Sequence, residues 1–373
     1  MPNHKYRQIL EKLQDDIASG RYKPGKRLPS EAELVRRFGA SRMTVFRAMH
    51  ELQALGLVTR KVGSGTFVSS NSNTSSHVFG LLIPELGQTE IFEAICQGMM
   101  EAQEAAHCSL LWGNAAAPQE HEKEQVAQQL CEHYITRKVS GVFFAPVEFS
   151  TNRFQANHRI VAAFDRARIP VVLLDRCLEP YPQRSKYDLV GIDNRRTGYL
   201  ATEHLMKAGA QRIAFFARPN SAPTVDARIA GYREACLLQS KRPTRDLVDI
   251  GDASDTKFVK SLLKRQQPDA FVCANDLTAG NLMHTLMSLG QRIPDDIRIV
   301  GIDDVKYARL LPVPLTTLHQ PCRDMGRIAM TTMLDRIANP DLPPRDVLLR
   351  CDLVVRRSCG TAVKNNGRSR TLI

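Results

Sequence analysis

Apolar and polar positions divide the chain into two parts with different patterns. Up to about residue 70, apolar residues recur every three or four positions in three short stretches, which predicts three helices. Residues 69–76 are all small or polar, which is typical of a tether between domains. From residue 78 onward, short apolar runs alternate with stretches of helical periodicity, which predicts alternating strands and helices.

The last two helices of the front part have the sequence signals of a helix-turn-helix. Ser30 is a good helix N-cap, and Glu33 three positions later completes a capping box. This helix is expected to stop at Gly39, and Ser41 caps the next one. Two short helices joined by a tight turn form a helix-turn-helix, here at about 31–50.

The second helix of this pair has one apolar face, which we expect to be buried. Its members are Val45, Ala48, Met49 and Leu52. Arg42 lies in the first turn, where a recognition helix places side chains against base edges, and Arg47 points away from the apolar face with Phe46 on its flank. Ser30 and Ser41 lie at helix N-termini, which suit contacts with phosphate groups.

The front part ends in a predicted hairpin, or wing, over about 57–69. Residues 57–62 and 66–69 read as strands, and Gly63-Ser64-Gly65 between them makes a tip small enough for a narrow groove. Arg60 and Lys61 lie beside this tip. From these patterns the residues expected to contact DNA are Ser30, Ser41, Arg42, Phe46, Arg47, Arg60, Lys61, Gly63 and Gly65.

Charge favours an anionic partner for the front part. The chain of 373 residues has a formal net charge of +12 and a pI of about 9.4. Residues 1–76 hold 13 Lys and Arg against 6 Asp and Glu, so the basic excess is concentrated there. Such a segment suits the phosphate backbone of nucleic acid. An ordinary basic surface or a protein-binding module of three helices are the alternatives.

Composition bears on several other classes of protein. Hydrophobic residues make up 43% and charged residues 24%, as in a globular chain of two or three folding units. The nine cysteines show no C-x-x-C and no metal spacing, so we expect free thiols in a reducing compartment, with Cys96 and Cys273 buried in apolar runs. No apolar run reaches the ~18–20 residues that cross a membrane. The N-terminus carries no signal sequence, so a cytoplasmic protein without membrane contact is expected.

Polar residues follow several predicted strands of the second part, where open parallel sheets bind their ligands. Carboxylate, amide and guanidinium groups at these strand ends can hold hydroxyl groups in fixed directions. Phe92 and Trp112 follow the first two strands and could stack on a sugar or a base, although Trp112 could equally lie in the core. The polar candidates are Asp175, Asn275 and Asp303, and Arg228 at the opening of a helix. The alternative for Asp175 is a helix N-cap.

The front part resembles the GntR-family DNA-binding domain over most of residues 5–69. The resemblance rests on residues 24–31 (PGKRLPSE), 41–45 (SRMTV) and 63–68 (GSGTFV). In that family the positions of Arg42 and Thr44 contact DNA and the wing approaches the minor groove, so the resemblance adds Thr44 to the expected contacts.

This segment also departs from the GntR pattern. Phe46 stands where family members usually carry Arg, and Ala32 stands where many carry Arg. Arg47, one residue after Phe46, could partly substitute. We therefore expect an operator sequence that differs from the usual one.

The second part resembles the LacI/GalR effector-binding domain, which has a periplasmic-binding-protein fold, over about residues 78–358. The matching residues are Asp193-Asn194, Gly198, His204-Leu205, Arg228, Gly231-Tyr232, 274–276 (AND), 300–304 (VGIDD) and 315–321 (LTTLHQP). The resemblance implies ligand contacts from Arg228, Asn275 and Asp303, with Ile91 and Phe92 from the first loop and Thr224 as a further contact. Ala253 stands where many members place an aromatic wall, so the pocket is wider there or Trp112 supplies the stacking.

The two resemblances together imply a multidomain chain, an α+β winged helix-turn-helix followed by an α/β domain of two doubly wound lobes. The expected boundaries are 1–70 for the DNA-binding domain, 71–77 for a linker, 78–360 for the ligand-binding domain and 361–373 for a basic tail. Lobe 1 is expected at about 78–185 and 322–342, and lobe 2 at about 188–306 and 345–358. The implied crossings between the lobes are near 176–190, 304–322 and 340–347.

This layout is similar to that of arabinose-type repressors. We expect a homodimer that binds a pseudo-palindromic double-stranded operator and responds to a small-molecule effector, most simply a sugar. The alternatives are a purine, an amino-acid derivative or a phosphorylated partner protein as effector, or an enzyme with a DNA-binding appendage. Walker A, G-x-S-x-G and metal motifs are absent from the sequence, so we expect no catalytic residue, no metal and no cofactor.

Overall fold

The computed structural model describes most of the chain as two compact units, one built mainly from residues 1–77 and the other mainly from residues 78–361. The described residues are 3–23, 25–54, 57–61, 65–68, 77–83, 90–102, 105, 108–113, 122–239 and 247–361. The predicted linker 71–77 lies outside these residues except for His77, and so does the predicted tail beyond residue 361.

The first unit is a trihelical fold with a hairpin. Its elements are α1 (Asn3–Ala18), α2 (Glu31–Phe38), α3 (Arg42–Ala54), β1 (Val58–Lys61) and β2 (Gly65–Val68). The strands are antiparallel, and Lys61 pairs with Gly65 at the tip end of the hairpin. The apolar positions of all three helices meet in one core with Ile9, Leu13, Leu34, Val45 and Leu52 fully buried. The predicted helix-turn-helix and wing are therefore present, with strand ends within two residues of those expected.

The first sheet of the second unit has six strands in the order β13-β7-β6-β5-β3-β4. Apolar runs with every residue buried form its middle, as expected for parallel strands covered on both faces. The strands are β3 (His77–Leu82), β4 (Cys108–Trp112), β5 (Gly141–Phe144), β6 (Val171–Leu174), β7 (Asp188–Ile192) and β13 (Asp346–Leu349). The helices of this lobe are α4 (Glu90–Glu101), α5 (Lys123–Thr136), α6 (Arg153–Arg166) and α11 (Cys322–Ala338).

The second sheet has six strands in the order β14-β12-β11-β10-β8-β9. Four of its pairings are parallel, and β14 runs antiparallel to β12. The strands are β8 (Ile213–Ala217), β9 (Val248–Ile250), β10 (Ala270–Cys273), β11 (Arg298–Asp303), β12 (Thr316–His319) and β14 (Asp352–Val354). The helices of this lobe are α7 (Asn194–Lys207), α8 (Pro223–Gln239), α9 (Thr256–Gln266), α10 (Asp276–Ser288) and a 3-10 turn (Lys306–Arg309).

The expected lobe boundaries are wrong at two strands. β7 pairs in parallel with β6, and β13 pairs in parallel with β7, so residues 188–192 and 346–349 belong to lobe 1. The connection between β6 and β7 contains no helix, although parallel neighbours are usually joined by one, so the local sequence does not indicate that β7 continues this sheet. The chain crosses between lobes at 192–194, 319–322 and 349–352. Only the second crossing falls within its expected range.

Each lobe contains a pair of helices whose backbones touch at glycines. In lobe 1, a Cβ on Gly98 of α4 would lie 2.0 Å from the carbonyl oxygen of Arg323, and one on Gly326 of α11 would lie 2.0 Å from that of Ile95. In lobe 2, α7 and α8 make the same kind of contact through Gly198 and Gly231. Only glycine allows this approach, so these helix pairs pack without intervening side chains.

Candidate functional site

The helix-turn-helix is fixed by local hydrogen bonds that the sequence predicted. The backbone N–H of Glu33 donates to Oγ of Ser30 at 3.3 Å, and the Glu33 carboxylate accepts from the Ser30 N–H at 2.6 Å. Gly39 adopts the left-handed conformation, with φ 55°, and ends α2. Ser41 caps α3, since the N–H of Thr44 donates to its Oγ at 3.2 Å. The hydroxyl of Thr44 lies 2.8 Å from the same oxygen.

The outward face of α3 carries both basic and apolar side chains. Arg42 and Arg47 are exposed, and the Arg47 guanidinium lies 5.0 Å from the centre of the Tyr6 ring on α1. Met43 is 74% exposed and Phe46 is 42% exposed, although apolar residues in this unit are otherwise mostly buried. This face is therefore available to a partner, and it contains the predicted contacts Arg42, Phe46 and Arg47.

A further basic residue, Arg27, packs against the wing, and the sequence pattern did not single it out. Arg27 forms an isolated bridge with Phe67, and its guanidinium covers Gly65, whose φ is +109°. The predicted contact Arg60 lies 3.3 Å from a carboxylate oxygen of Glu31 on α2. Gly63 and the side chain of Lys61 lie outside the described residues. The long-range contact with Gly65 explains why spacing alone missed Arg27.

In the second unit, buried polar side chains collect where the strands of lobe 1 end. Asp175 follows β6 with φ 66°, so it is a loop residue and not a helix N-cap. Arg176 is buried next to it, with Nε 3.3 Å from an Asp175 oxygen and Nη1 in contact with Glu148. Burial opposes the charge of Arg176, but Glu148 and Asp175 outweigh this effect and raise the pKa of its guanidinium. The guanidinium also lies 5.4 Å from the centre of the buried Phe92 ring.

The strand ends of lobe 2 present a second polar group. Nε of Arg228, in the second turn of α8, donates to Oδ1 of Asn194 at 2.8 Å, and its Nη1 donates to the carbonyl of Ala274. These bonds fix the direction of the guanidinium. Asn275 caps α10, since its Oδ1 accepts from the N–H of Thr278 at 2.8 Å. Arg228, expected at the opening of a helix, thus lies inside α8, which begins earlier than the periodicity indicated.

Asp303 at the end of β11 links these two groups electrostatically. Burial raises the pKa of its carboxyl well above the usual value, with Arg228 acting to lower it and Asp276 and Asp175 acting to raise it further. Two of the predicted ligand residues, Asp175 and Arg228, are therefore close enough to a third, Asp303, to influence the ionisation of its carboxyl. Nε2 of Gln320 donates to Oδ1 of Asp303 at 2.6 Å.

Two acceptor atoms in this cluster are buried and have no hydrogen-bond partner among the described residues. They are Oδ1 of Asp175 and Oε1 of Gln320. Buried polar atoms in native proteins are nearly always paired, so each such atom requires an explanation. Gln320 lies on the crossing between β12 and α11, and sequence reasoning missed it even though it belongs to the matched segment 315–321.

The remaining predicted residues divide between two cavities. Asp175 and Thr224 line one of about 340 Å³, and Ile91 lines another of about 630 Å³ together with Asp303 and Gln320. Trp112 lines neither of these two cavities, because it ends the edge strand β4 and is 64% exposed. Phe92 is buried beneath Arg176, so its ring packs against that guanidinium.

Hydrogen bonds join the two lobes at two places. At the first, the N–H of Ala222 donates to Glu148 at 3.2 Å, and the N–H of Phe149 donates to the carbonyl of Asn220 at 2.8 Å. At the second, the N–H of Lys306 donates to Glu90 at 2.5 Å. Glu148 contacts Arg176 as well, so it joins the polar cluster to the contact between the lobes.

Within the described ranges, no group of His, Cys, Asp and Glu side chains could hold a metal ion, and every helix is too short or too polar to span a membrane. The nine cysteines are thiols and not disulfides; Cys273 is buried, whereas Cys96 is only partly buried. Burial raises the pKa of the Cys96 thiol to about 11, so it is protonated at neutral pH.

Comparison with known proteins accounts for both units. The profile of "Bacterial regulatory proteins, gntR family" matches residues 5–68, and that of the "Periplasmic binding protein-like domain" matches residues 202–359. The arabinose metabolism transcriptional repressor of Geobacillus stearothermophilus is 30% identical over 368 residues, which are 95% of this chain and 97% of that protein.

Solved structures share the fold. The complex of the transcriptional regulator CelR with cellobiose has a TM-score of 0.63 and 23% identity, covering 89% of this chain and 100% of its own. A LacI-family transcriptional regulator from Enterococcus faecium with bound ribose has a TM-score of 0.59 and 23% identity, covering 75% of this chain and 98% of its own. The chain therefore belongs to the family of transcriptional regulators that join a GntR-type DNA-binding domain to a periplasmic-binding-protein-like domain.

Proposed function

We propose that this regulator represses carbohydrate-utilisation genes and that a small sugar in the cleft between the lobes controls its binding to DNA. The observation that carries the proposal is the pair of buried, unpartnered acceptors, Oδ1 of Asp175 and Oε1 of Gln320. An acceptor left without a partner in the interior costs about 1–3 kcal/mol. A polyhydroxy ligand that extends from one cavity to the other, past Asp303, would supply hydroxyl donors to both atoms.

The surrounding groups suit a ligand that both donates and accepts hydrogen bonds. Asp175 and Asp303 are acceptors when ionised, whereas Arg228 is a donor held in one direction by Asn194. Sugar hydroxyls do both, so such a ring can satisfy the whole set. The named relatives support this class, since one is a repressor of arabinose metabolism and two of the solved structures hold cellobiose and ribose.

The proposed mechanism couples the cleft to DNA through lobe closure. The ligand draws the lobes together about the three crossings, and a homodimer with two heads reads a pseudo-palindromic operator in the cytoplasm, where the DNA is. Ligand and DNA affinities then affect each other by the same factor, typically ~1–3 kcal/mol. Footprinting of one unpaired half-site bound by a monomer would contradict the dimeric part of this proposal.

The first test is thermal unfolding of the full chain with arabinose, ribose, cellobiose and a set of purines. A ligand at about 100 times its Kd adds ~2.7 kcal/mol to the state that binds it, which raises the unfolding temperature by several degrees. Asp175→Ala and Gln320→Ala are expected to reduce the shift. Asp341→Ala, on an exposed turn outside the cleft, is the control and is expected to retain it.

The outcomes distinguish the effector classes. A shift with a sugar that Asp175→Ala abolishes supports the proposal. A shift with purines alone would replace the sugar by a purine at the same cleft. No shift with any sugar, or a shift that both cleft variants retain in full, would overturn the proposed ligand class.

A further inference from the structure

The outward face of α3 has a short apolar stripe inside a basic surface. Met43 and Phe46 are three residues apart, so they lie on the same side of the helix, and both are exposed. His50 continues this side, with its ring centre 6.1 Å from that of Phe46. The opposite side, formed by Val45 and Ala48, is fully buried in the core of the unit. The packing of the unit therefore does not explain why Met43 and Phe46 are apolar.

The place of this stripe in the fold indicates what it contacts. In a helix-turn-helix the outward face of the second helix lies in the major groove of DNA. Among base edges in that groove, the apolar group is the C5 methyl of thymine, and apolar side chains discriminate thymine by contact with it. An exposed apolar side chain on this face is thus suited to reading a methyl group.

The charges around the stripe favour DNA over an apolar protein surface. Arg42 precedes Met43 directly, Arg47 follows Phe46 directly, and both are exposed. Burying this stripe against an apolar partner would desolvate both guanidinium groups, whereas DNA offers phosphates beside the methyl groups. Of the two kinds of partner, DNA satisfies the basic and the apolar side chains together.

We propose that Met43 and Phe46 read thymine methyl groups in the operator half-site. Their backbone positions differ by about 4.5 Å along the helix axis. Base pairs follow one another at about 3.4 Å. The two contacted thymines are therefore expected within about two base pairs of each other. This inference rests on the proposed binding of the chain to an operator, and it adds the base that the apolar residues select.

The test begins with a binding site selected by the full chain from random double-stranded DNA. Each thymine of the selected site is then replaced by deoxyuridine, which removes the methyl group and keeps the base-pairing edge. For the wild-type chain, affinity is expected to fall about fourfold at each of two positions in a half-site, which corresponds to about 0.8 kcal/mol for one methyl group. At other thymines it is expected to stay unchanged.

Variants assign each methyl group to a side chain. The Phe46→Ala variant is expected to bind DNA with thymine or deoxyuridine at one of the two positions with equal affinity. The Met43→Ala variant is expected to show the same indifference at the other position. Leu310→Ala, which truncates a 78% exposed apolar residue of the second unit, is the matched control and is expected to keep both effects. Phe46→Arg is expected to select guanine in place of thymine at its position, since Arg binds guanine through two hydrogen bonds.

The possible failures are separable. If no DNA sequence is enriched by the wild-type chain, the proposed operator binding fails and this inference fails with it. If a site is enriched but deoxyuridine at every thymine leaves its affinity unchanged, operator binding stands and the inference is overturned. If Phe46→Ala changes self-association and keeps the full deoxyuridine effect, the stripe is a protein contact and the inference is also overturned.

Discussion

Asp188 is expected to be one of the most sensitive positions of lobe 1 outside the cleft. Its carboxylate is fully buried and accepts hydrogen bonds from Arg336 at 2.8 and 3.2 Å and from the N–H of Arg345 at 2.8 Å. These partners lie in α11 and directly before β13, so one side chain joins β7 to two elements distant in the chain. Its removal leaves the mostly buried Arg336 without its anion.

The expected magnitude follows from this burial. Removing one member of a buried pair costs about 3–5 kcal/mol, so Asp188→Ala should lower the free energy of unfolding by that amount. Asp324→Ala is the matched control, because Asp324 pairs with Arg327 on the same helix but both are exposed. Such a surface pair contributes less than about 1 kcal/mol.

Urea unfolding at pH 7, followed by circular dichroism and by the emission of Trp112, measures both variants. Trp112 is the one tryptophan of the chain and lies in the same sheet as Asp188. Equal destabilisation by the two substitutions would refute the reasoning, because burial would then add nothing to the pair.

The same pair predicts a pH dependence. Burial alone would raise the pKa of Asp188, but the hydrogen bonds from Arg336 and Arg345 outweigh it and lower the pKa in the folded chain. The contribution to stability is therefore complete above the ordinary carboxyl pKa of about 4 and is lost as the pH falls through the lowered value. Asp188→Asn should show a smaller loss of stability between about pH 5 and pH 2 than the wild-type chain.

Three further predictions concern other contacts. Gly326→Ala places a Cβ 2.0 Å from a carbonyl oxygen, so it should destabilise lobe 1 by at least about 1–3 kcal/mol in the same urea assay. Gly280→Ala is the control, because its Cβ would meet a leucine side chain at 3.4 Å, and it should be neutral or stabilising. Asp16→Asn removes the buried anion beside Lys12 and should speed hydrogen exchange of α1; unchanged exchange would contradict its role. A hydrogen bond from His319 to Asp304 at 3.1 Å raises the pKa of His319. The contribution of this bond to the free energy of unfolding is therefore present below about pH 6.5 and is lost as the pH rises through the raised pKa. His319→Gln should remove this pH dependence.

Sequence reasoning succeeded where the determining contacts are local. The capping box of Ser30 and Glu33 and the stop at Gly39 depend on residues at most a few positions apart, so the helix-turn-helix could be predicted nearly to the residue. The lobe boundary failed because it depends on which strands pair. Residues 175–187 contain no helix, and only the pairing of β7 with β6 assigns that strand to lobe 1.

The same distinction applies to the cleft. Asp175 and Asp303 were predicted because each follows a strand, a signal that the sequence contains. Gln320 and Glu148 were missed because their importance arises from contacts with residues far along the chain. Trp112 was chosen for its chemistry, and its strand proved to be at the edge of the sheet, which periodicity does not encode.

The glycine-mediated contacts hold the two helices of each pair closely together. α11 begins at one crossing and is held against α4, while α7 begins at another crossing and is held against α8. Sliding of either helix pair would drive backbone atoms together, so we expect each lobe to turn as a rigid body about the short crossings. Substitutions are then expected to separate into two phenotypes. Those within a helix pair change the free energy of unfolding, and those at the crossings change how far the proposed effector turns the lobes.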